Sequence, residues 1–240
     1  MTFDWLLENW LPENCKRLSR WSGVTCLSAV FWLTVGALPG LAQSVISADD
    51  GTATIVTQEG DRYVIDGGSL SGDGVNLFHS FEQLGLSTNE IATFLADPTI
   101  QNILGRVVGG SPSFIDGLLQ VSGSDANLFL MNPTGLIFGP NARLDLSGSF
   151  SATTATGIDF ADGWFDAVEA NTYASLTGDP GGFRFGLGDP GVIVNAGTLA
   201  VPEGEGVSLV GGTVVNTGTI EAPGGQITVM AVPGTSRVRL

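Results

Sequence analysis

ANLFLMNPTGLIFGPNARLDLSGSFSATTA, residues 126–155, holds two apolar runs on either side of a turn. The runs are Leu128–Met131 and Leu136–Phe138, and the turn between them is Asn132-Pro133-Thr134-Gly135. Proline fixes its own φ and glycine accepts backbone conformations closed to other residues, so this tetrad redirects the chain. The stretch therefore predicts a strand, a tight corner and a second strand.

An internal repeat lies farther along the chain. Val194-Asn195-Ala196-Gly197-Thr198-Leu199 recurs 21 residues later as Val215-Asn216-Thr217-Gly218-Thr219-Ile220. A repeat of about 20 residues with no helical pattern is short for a propeller blade or a helix pair, and it fits one coil of a parallel β-helix. Because coils stack about 4.8 Å apart in register, equivalent residues should lie over one another. The expected stacked pairs are Val194 and Val215, Leu199 and Ile220, and Asn195 and Asn216.

These features predict an all-β chain, a right-handed parallel β-helix (a single-stranded solenoid) with an N-terminal β cap and one short helix. At about 21 residues per coil, residues 43–240 give about nine coils and a rod of about 45 Å. Glycine is abundant, with 35 residues, and only 14% of residues are charged, which favours turns and strands over surface helices. A β-sandwich of short strands is the alternative fold.

Three local patterns predict structure elsewhere in the chain. Residues 52–57 and 62–65 are β-branched and aromatic runs, expected to form a hairpin or two consecutive strands of the cap. Ser87-Thr88-Asn89-Glu90 is a capping box and Asp97-Pro98 is a stop signal, which together predict a helix of about ten residues. Residues 160–173 are the least strand-like part of the second half and predict an excursion from the main body.

The first 42 residues have the pattern of a signal peptide. Lys16, Arg17 and Arg20 precede an apolar run over residues 24–38, and small residues then lead to Ala42. The apolar run is too short to span a bilayer. We expect cleavage between Ala42 and Gln43, which leaves residues 43–240 as one domain. The alternatives are an uncleaved anchor or a misassigned start codon.

Cleavage would change which chemistry is available to the chain. Cys15 and Cys26 both lie within residues 1–42, so no disulfide or thiolate metal site would remain. Three of the nine basic and three of the 24 acidic residues would also be lost, which leaves six arginines, 21 carboxylates and the same net charge of −15. Such a surface repels nucleic acid, so no nucleic-acid partner is expected.

Side chains typical of an active site are sparse. His79 is the single histidine, and its apolar neighbours favour a strand residue bonded to backbone over a catalytic base. Asp159, Asp162 and Asp166 could converge as the carboxylates of a glycosidase, but a turn-rich acidic segment favours solvated charges. Calcium is an alternative for Asp49, Asp50 and the same aspartate cluster. Ser71-Gly72-Asp73-Gly74 resembles a calcium-repeat turn but occurs only once. No catalytic residue, cofactor or metal is predicted.

The sequence motifs indicate a protein family, which the composition alone does not. The corner Asn132-Pro133-x-Gly135 after Asn127-Leu128-Phe129-Leu130, followed by residues 138–145 and 148–155, resembles the secretion domain of two-partner-secretion exoproteins, the filamentous haemagglutinin family. The likeness continues at residues 76–81, 102–107, 183–186 and 192–197, and so covers most of the chain after about residue 45. Thr134 departs from the family pattern, which usually has a second asparagine there, and Leu136 replaces a more common isoleucine.

The resemblance implies a function that the residues alone do not give. It implies recognition by the periplasmic domains of an outer-membrane transporter barrel, with Asn132, Pro133, Gly135 and, less directly, Asn76 taking part. The exported protein would pass through the periplasm and outer membrane to the cell surface or medium. There it would serve adhesion or haemagglutination through a ligand on a host or neighbouring cell.

Two other functions remain open at this point. One is a carbohydrate-active β-helix enzyme, although pectin-cleaving β-helices usually carry basic residues in their groove and six scattered arginines do not suggest this. The other is the delivery end of a contact-dependent toxin, since such toxins share this type of domain.

Overall fold

The computed structural model describes residues 44–240, which form 23 β-strands and one short 3₁₀-helix, Tyr173–Ser175. Within this range no helix has the length and apolarity that crossing a bilayer requires. In chain order the strands are β1 Val45–Ser47, β2 Thr54–Glu59, β3 Arg62–Gly67, β4 Ser69–Leu70, β5 Asn76–Leu84, β6 Ile91–Leu95, β7 Asn102–Val107, β8 Ser113–Ile115, β9 Leu118–Ser122, β10 Asn127–Met131, β11 Gly135–Phe138, β12 Arg143–Asp145, β13 Phe150–Thr153, β14 Gly157–Phe160, β15 Gly163–Asp166, β16 Gly182–Phe185, β17 Val192–Asn195, β18 Thr198–Ala200, β19 Val207–Gly211, β20 Thr213–Asn216, β21 Thr219–Glu221, β22 Ile227–Ala231 and β23 Ser236–Arg239.

Successive turns of the chain stack as a parallel β-helix with three faces. Sheet A contains β5, β7, β10, β13, β19 and β22, sheet B contains β3, β6, β9, β12, β18 and β21, and sheet C contains β8, β11, β17 and β20. Within these sets every pair of neighbouring strands is parallel, and a strand's neighbours belong to the turns before and after it. The predicted β-helix is confirmed, and the β-sandwich alternative is wrong.

The number of turns is smaller than predicted. Six parallel strands of sheet A mark about six turns, not nine. Early coils are longer than the 21-residue repeat, since Asn76 and Asn102 occupy equivalent positions 26 residues apart. One turn also contains a large insertion, which puts Thr153 and Val210 at neighbouring levels although they are 57 residues apart.

The core inside the coil consists of columns of like residues. In sheet A, Ile103, Leu128, Phe150 and Val207 lie in register on successive turns, and each is at most 1% exposed. Burying aliphatic and aromatic side chains in this way provides the main favourable free energy of folding. The 21-residue repeat behaves as predicted, because the stacked pairs are Val194 and Val215, Leu199 and Ile220, and Asn195 and Asn216.

An N-terminal β cap covers the first turn, as predicted. β2 and β3 form an antiparallel hairpin, which decides between the two arrangements expected for these runs. β3 then pairs in parallel with β6, while β1 and β4 pair antiparallel with β5. The cap thus satisfies the edges of the first turn.

The helix predicted after Ser87 is wrong, because this segment forms strand β6. The capping-box bond exists, since the backbone N–H of Ser87 donates to the Glu90 carboxylate at 2.6 Å, but it closes a tight turn and not a helix. The strand then aligns between β3 and β9 and buries Ala92 and Phe94 completely. Two ladders of backbone hydrogen bonds and these contacts outweigh a local capping signal.

The predicted excursion also forms, with more strand than expected. β14, β15 and β16 build an antiparallel sheet, sheet D, which β23 completes at one edge. One face of sheet D packs on the outer side of sheet A in a second apolar cluster. This cluster contains Phe78, Leu104, Phe129, Met131, Ile158, Phe160, Phe165, Phe183, Phe185 and Val210, among others.

Candidate functional site

The corner at Asn132–Gly135 joins sheet A to sheet C between β10 and β11, as predicted. The backbone N–H of Gly135 donates to the carbonyl of Asn132 at 3.1 Å, and the N–H of Thr134 donates to the Asn132 side-chain oxygen at 3.0 Å. Gly135 has φ +141°, where a side chain would strain the backbone. Asn132 therefore caps the corner itself, although position 134 carries threonine.

The same corner is fastened to the turns on either side. The side-chain amide of Asn132 donates to the Ser111 carbonyl at 3.0 Å and to the Ser113 hydroxyl at 3.1 Å on the preceding turn. The N–H of Gly191 on the following turn donates to the Pro133 carbonyl at 3.1 Å. Asn132 is 1% exposed, so its side chain serves the fold and not the surface.

Asn76 lies at another corner of the coil and begins a polar ladder. The amide of Asn102 donates to the Asn76 side-chain oxygen at 2.9 Å, and the amide of Asn127 donates to the Asn102 oxygen at 3.0 Å. The Asn127 oxygen then accepts the backbone N–H of Ser149 at 2.9 Å. This asparagine ladder, formed by Asn76, Asn102 and Asn127, links three consecutive turns.

Asn76 also anchors the segment after the 3₁₀-helix. Its amide donates to the carbonyls of Leu176 at 2.9 Å and Gly178 at 2.8 Å, and Asn76 is completely buried. It lies at the start of β5, whereas Asn132 follows the end of β10. The structure therefore does not bring the predicted recognition residues together into one site. Ala42 and Gln43, the predicted cleavage position, lie outside the described residues.

The sequence motifs did not predict the ionic network that surrounds the buried Arg106. Arg106 in β7 is 1% exposed, and its guanidinium donates to Asp50 at 2.7 Å and to the Ser80 hydroxyl at 3.0 Å. It also donates to the backbone carbonyls of Asp166 and Glu169, both at 2.7 Å. A single arginine within the apolar run Asn102–Val107 was the available signal.

The network joins the cap, which contains Asp50, to the insertion, whose carbonyls Arg106 also binds. Burial raises the pKa of the Asp50 carboxyl, but hydrogen bonds from Ser80, Thr52 and Arg106 outweigh it and lower the pKa to about 2. The hydroxyl of Thr52 donates to Asp50 at 2.6 Å and also lies 2.6 Å from the Tyr173 hydroxyl. Asp50 therefore stays ionised and paired, which leaves calcium binding by this residue without support.

His79 is not bonded to backbone, contrary to the sequence-based interpretation. It is completely buried, and neither imidazole nitrogen has a hydrogen-bond partner among residues 44–240. Its ring lies among Phe81, Phe94 and the backbone of Gly68. Burial lowers the pKa of His79 to about 4, although the charge of Asp66 opposes this shift. The side chain is neutral near pH 7, and no hydroxyl of residues 44–240 is hydrogen-bonded to it.

Two of the three aspartates considered for catalysis, Asp159 and Asp166, have structural partners. Asp159 pairs with Arg184 at 2.9 Å and with Arg237 at 3.2 Å. Asp166 accepts the backbone N–H groups of Val168 at 2.9 Å and Glu169 at 2.8 Å. Among residues 44–240, no group of three or more histidine, cysteine, aspartate or glutamate side chains is arranged to hold a metal ion.

The comparisons with known proteins agree with the fold. A family model described as the TPS secretion domain matches residues 42–240. Among solved structures, the chain is similar to the HMW1 secretion domain from Haemophilus influenzae, with a TM-score of 0.52 and 22% sequence identity. That match covers 82% of this chain and 47% of the other, so this chain spans about half the length of that structure. No curated protein sequence matches.

The structural likeness supports the fold, and the family match adds the type of domain. TPS stands for two-partner secretion, in which an exoprotein and an outer-membrane transporter work as a pair. The match extends over all of the β-helix, the cap and the insertion described above. The chain belongs to the TPS secretion domain family.

Proposed function

We propose that residues 43–240 are the part of an exoprotein that a partner outer-membrane transporter recognises in the periplasm and exports to the cell surface or medium. The observation that carries this proposal is the family match over residues 42–240. A signal peptide cleaved between Ala42 and Gln43 would deliver the chain to the periplasm. The exported protein would then serve in adhesion, through a ligand on a host or neighbouring cell.

The transporter would recognise this chain before it folds. Asn76 and Asn132 are at most 1% exposed, and their amide groups already hold backbone and side-chain partners. A folded domain cannot present these side chains to a receptor. We therefore assign the recognition role of Asn132, Pro133, Gly135 and Asn76 to an extended chain, which can add a strand to a periplasmic domain of the transporter.

Folding outside the cell would follow coil by coil. Each turn of a solenoid contacts mainly its neighbours, so a turn can form as soon as it leaves the pore. The asparagine ladder fits this order, because Asn76 bonds to Asn102 and Asn102 bonds to Asn127 on successive turns. Completed turns outside would prevent the chain from sliding back.

We propose no catalytic role for this domain. The TPS family is a family of secretion domains and not a known enzyme family. Of the carboxylates considered for glycosidase chemistry, Asp159 is paired with two arginines and Asp166 with backbone N–H groups. These partners support a structural use of both carboxylates.

The test is export from the native host with and without the candidate transporter gene. The expected result is that the protein starts at Gln43 and reaches the surface or medium only when the barrel is present. Retention of residues 1–42, or export without the barrel, would contradict the proposal.

Recognition can be separated from stability by a matched pair of variants. Asn132→Ala and Asn195→Ala both remove a buried asparagine that accepts a backbone N–H two residues later, at 3.0 and 3.1 Å. Only Asn132 belongs to the proposed recognition segment. We expect Asn132→Ala to reduce export at least about tenfold relative to Asn195→Ala at comparable stability loss, which corresponds to about 1.4 kcal/mol of binding. Equal export of the two variants would assign Asn132 to the fold alone.

A further inference from the structure

The outer face of sheet D collects a set of side chains unlike the rest of the surface. Residues alternate between the two faces of a strand, and partners in register lie on the same face. Ile158, Phe165, Phe183 and Val238 are in register and pack inward against sheet A. The residues between them therefore point outward.

These outward residues form two rows across the four strands. In the first row Trp164 lies opposite Asp159, Asp159 opposite Gly182, and Gly182 opposite Arg239. The second row contains Asp166, Gly157, Arg184 and Arg237 in the same way. The face thus holds three of the six arginines found after residue 42, in a chain whose net charge is −15.

The arginines and the tryptophan line one groove. Its volume is about 740 Å³, and its wall includes Trp164, Asp159, Arg184, Arg237 and Arg239. This volume lies within the range of about 300–1,000 Å³ typical of small-molecule sites. Gly182 allows β16 and β23 to approach closely between Asp159 and Arg239, because an added Cβ there would clash with the Val238 carbonyl oxygen.

Two of the three arginines in the groove are held by Asp159, and the third is not. The guanidinium of Arg184 lies 3.9 Å from the Trp164 ring centroid and donates to Asp159 at 2.9 Å. Arg237 pairs with the same carboxylate, with its Nε 3.2 Å and its terminal nitrogen 3.3 Å from the two oxygens. Arg239, in contrast, has no side-chain hydrogen bond or ion pair with any of residues 44–240.

The free groups define the chemistry of a ligand. Trp164 is 44% exposed; Arg184 covers one part of its ring, and the exposed remainder offers an apolar surface to a ligand. The guanidinium of Arg239, which has no side-chain partner among residues 44–240, offers a planar fork that matches a carboxylate. The groove wall holds two carboxylates: Asp159 is already neutralised by two arginines, and Asp179 accepts a hydrogen bond from the Asn102 amide at 3.5 Å. A carboxylate paired with arginines repels an anion less than an isolated one would.

We propose that this groove binds a sugar ring that carries a carboxylate, with the ring against Trp164 and the carboxylate on Arg239. A simple carboxylate would use the arginine and leave the indole uncovered. A neutral sugar would cover the indole and leave the arginine unpaired. Uronic acids and sialic acids both present the required combination. The site lies on the folded insertion, so ligand binding and transporter recognition can each fail without the other.

The test is calorimetric titration of the full chain with glucuronate and N-acetylneuraminate, with glucose and acetate as controls. We expect at least one acidic sugar to bind at least about tenfold more tightly than either control, which corresponds to one charge-assisted hydrogen bond. A stronger signal from one acidic sugar tells which class of glycan the groove fits. Equal binding of glucose or acetate, or no binding of either acidic sugar at millimolar concentration, would overturn the proposal.

Variants place the binding in the groove. Arg239→Gln and Trp164→Ala should each weaken binding of the acidic sugar at least about tenfold. Arg143→Gln removes the same charge from an exposed position on sheet B and should leave affinity and unfolding temperature unchanged. Trp164→Phe keeps an aromatic ring and should retain much of the affinity. If Arg143→Gln weakens binding as much as Arg239→Gln, the effect is one of net charge, and the proposed site is wrong.

Discussion

The guanidinium of Arg106 lies 2.7 Å from the carboxylate of Asp50, a residue 56 positions earlier in the chain. Asp50 belongs to the cap, Arg106 to the wall of sheet A, and the carbonyls that Arg106 also binds belong to the insertion. One buried cation therefore joins three parts of the domain that are distant in sequence. Breaking a buried ion pair costs more than forming it contributes, because the remaining charge is left without a partner.

We expect Arg106→Met to destabilise the domain by about 3–5 kcal/mol, since it removes the cation that pairs with Asp50 and the donor that satisfies two backbone carbonyls. Arg143→Met is the matched control, because Arg143 is exposed, and it should change stability by less than about 0.5 kcal/mol. Equilibrium urea unfolding of the two variants measures the difference. A loss below about 1 kcal/mol for Arg106→Met would contradict the structural role.

The Asp50 carboxylate should make stability fall in strong acid. Its pKa is about 2 in the folded protein against 3.8 for a free carboxyl, so the folded state holds fewer protons in this range. The stabilisation is fully present above pH 3.8 and is lost as the pH falls toward 2, by about 1–2 kcal/mol, because solvent at the partly exposed Asp50 screens the interaction. Unfolding free energies measured from pH 5 to pH 2 should show this slope, and Asp50→Asn should reduce it. An equal slope in the variant would exclude Asp50 as its source.

The buried His79 should make the free energy of unfolding depend on pH between 6.5 and 4. Its pKa is about 4 in the folded protein against 6.5 for a free imidazole, so the unfolded chain binds a proton that the folded chain does not. Stability is therefore complete above pH 6.5 and falls by about 3 kcal/mol as the pH drops to 4. His79→Phe should remove this loss and be more stable than the wild type at pH 4. A variant with an unchanged slope between pH 6.5 and pH 4 would show that another group titrates.

Gly135 should tolerate alanine poorly because of its backbone. Its φ is +141°, and an added Cβ would lie 3.1 Å from the Val192 carbonyl oxygen on the next turn. Gly135→Ala should cost about 1–3 kcal/mol. Gly188→Ala is the control, because no atom lies within 4 Å of an added Cβ there and its φ is outside the strained range. Thermal unfolding that lowers the two midpoints equally would show that the corner is not specially constrained.

The sequence predicted those features of the fold that repeat at short range. The Asn132–Gly135 corner and the 21-residue repeat are local patterns, and each is formed by residues close together in the chain. Because the last coils repeat the same path, one recognised repeat was enough to predict the stacking of Asn195 on Asn216, whose amide and oxygen lie 2.8 Å apart. The number of coils was wrong, since the repeat length of the last coils does not hold in the early ones.

The contacts between distant segments could not be predicted in this way. The Ser87–Glu90 capping box is a valid local signal, but the neighbours of β6 come from β3 and β9, and their ladders decide for a strand. The outward rows of sheet D could not be predicted either, because they depend on the pairing of β16 with β23, which lies far along the chain after the last coils. Neither the pairing of β6 with β3 and β9 nor that of β16 with β23 produces a repeating pattern in the sequence.

The sequence by itself determined the solenoid, its corner residues and the family, because these depend on turn geometry and on like residues recurring at a fixed interval. Only the tertiary structure decided that Asn76 and Asn132 are buried, that Arg106 holds Asp50, and that Trp164 and Arg239 share a groove. The physical reason is that burial, ion pairing and desolvation depend on which distant segments come into contact, and contact is settled by packing of the whole chain.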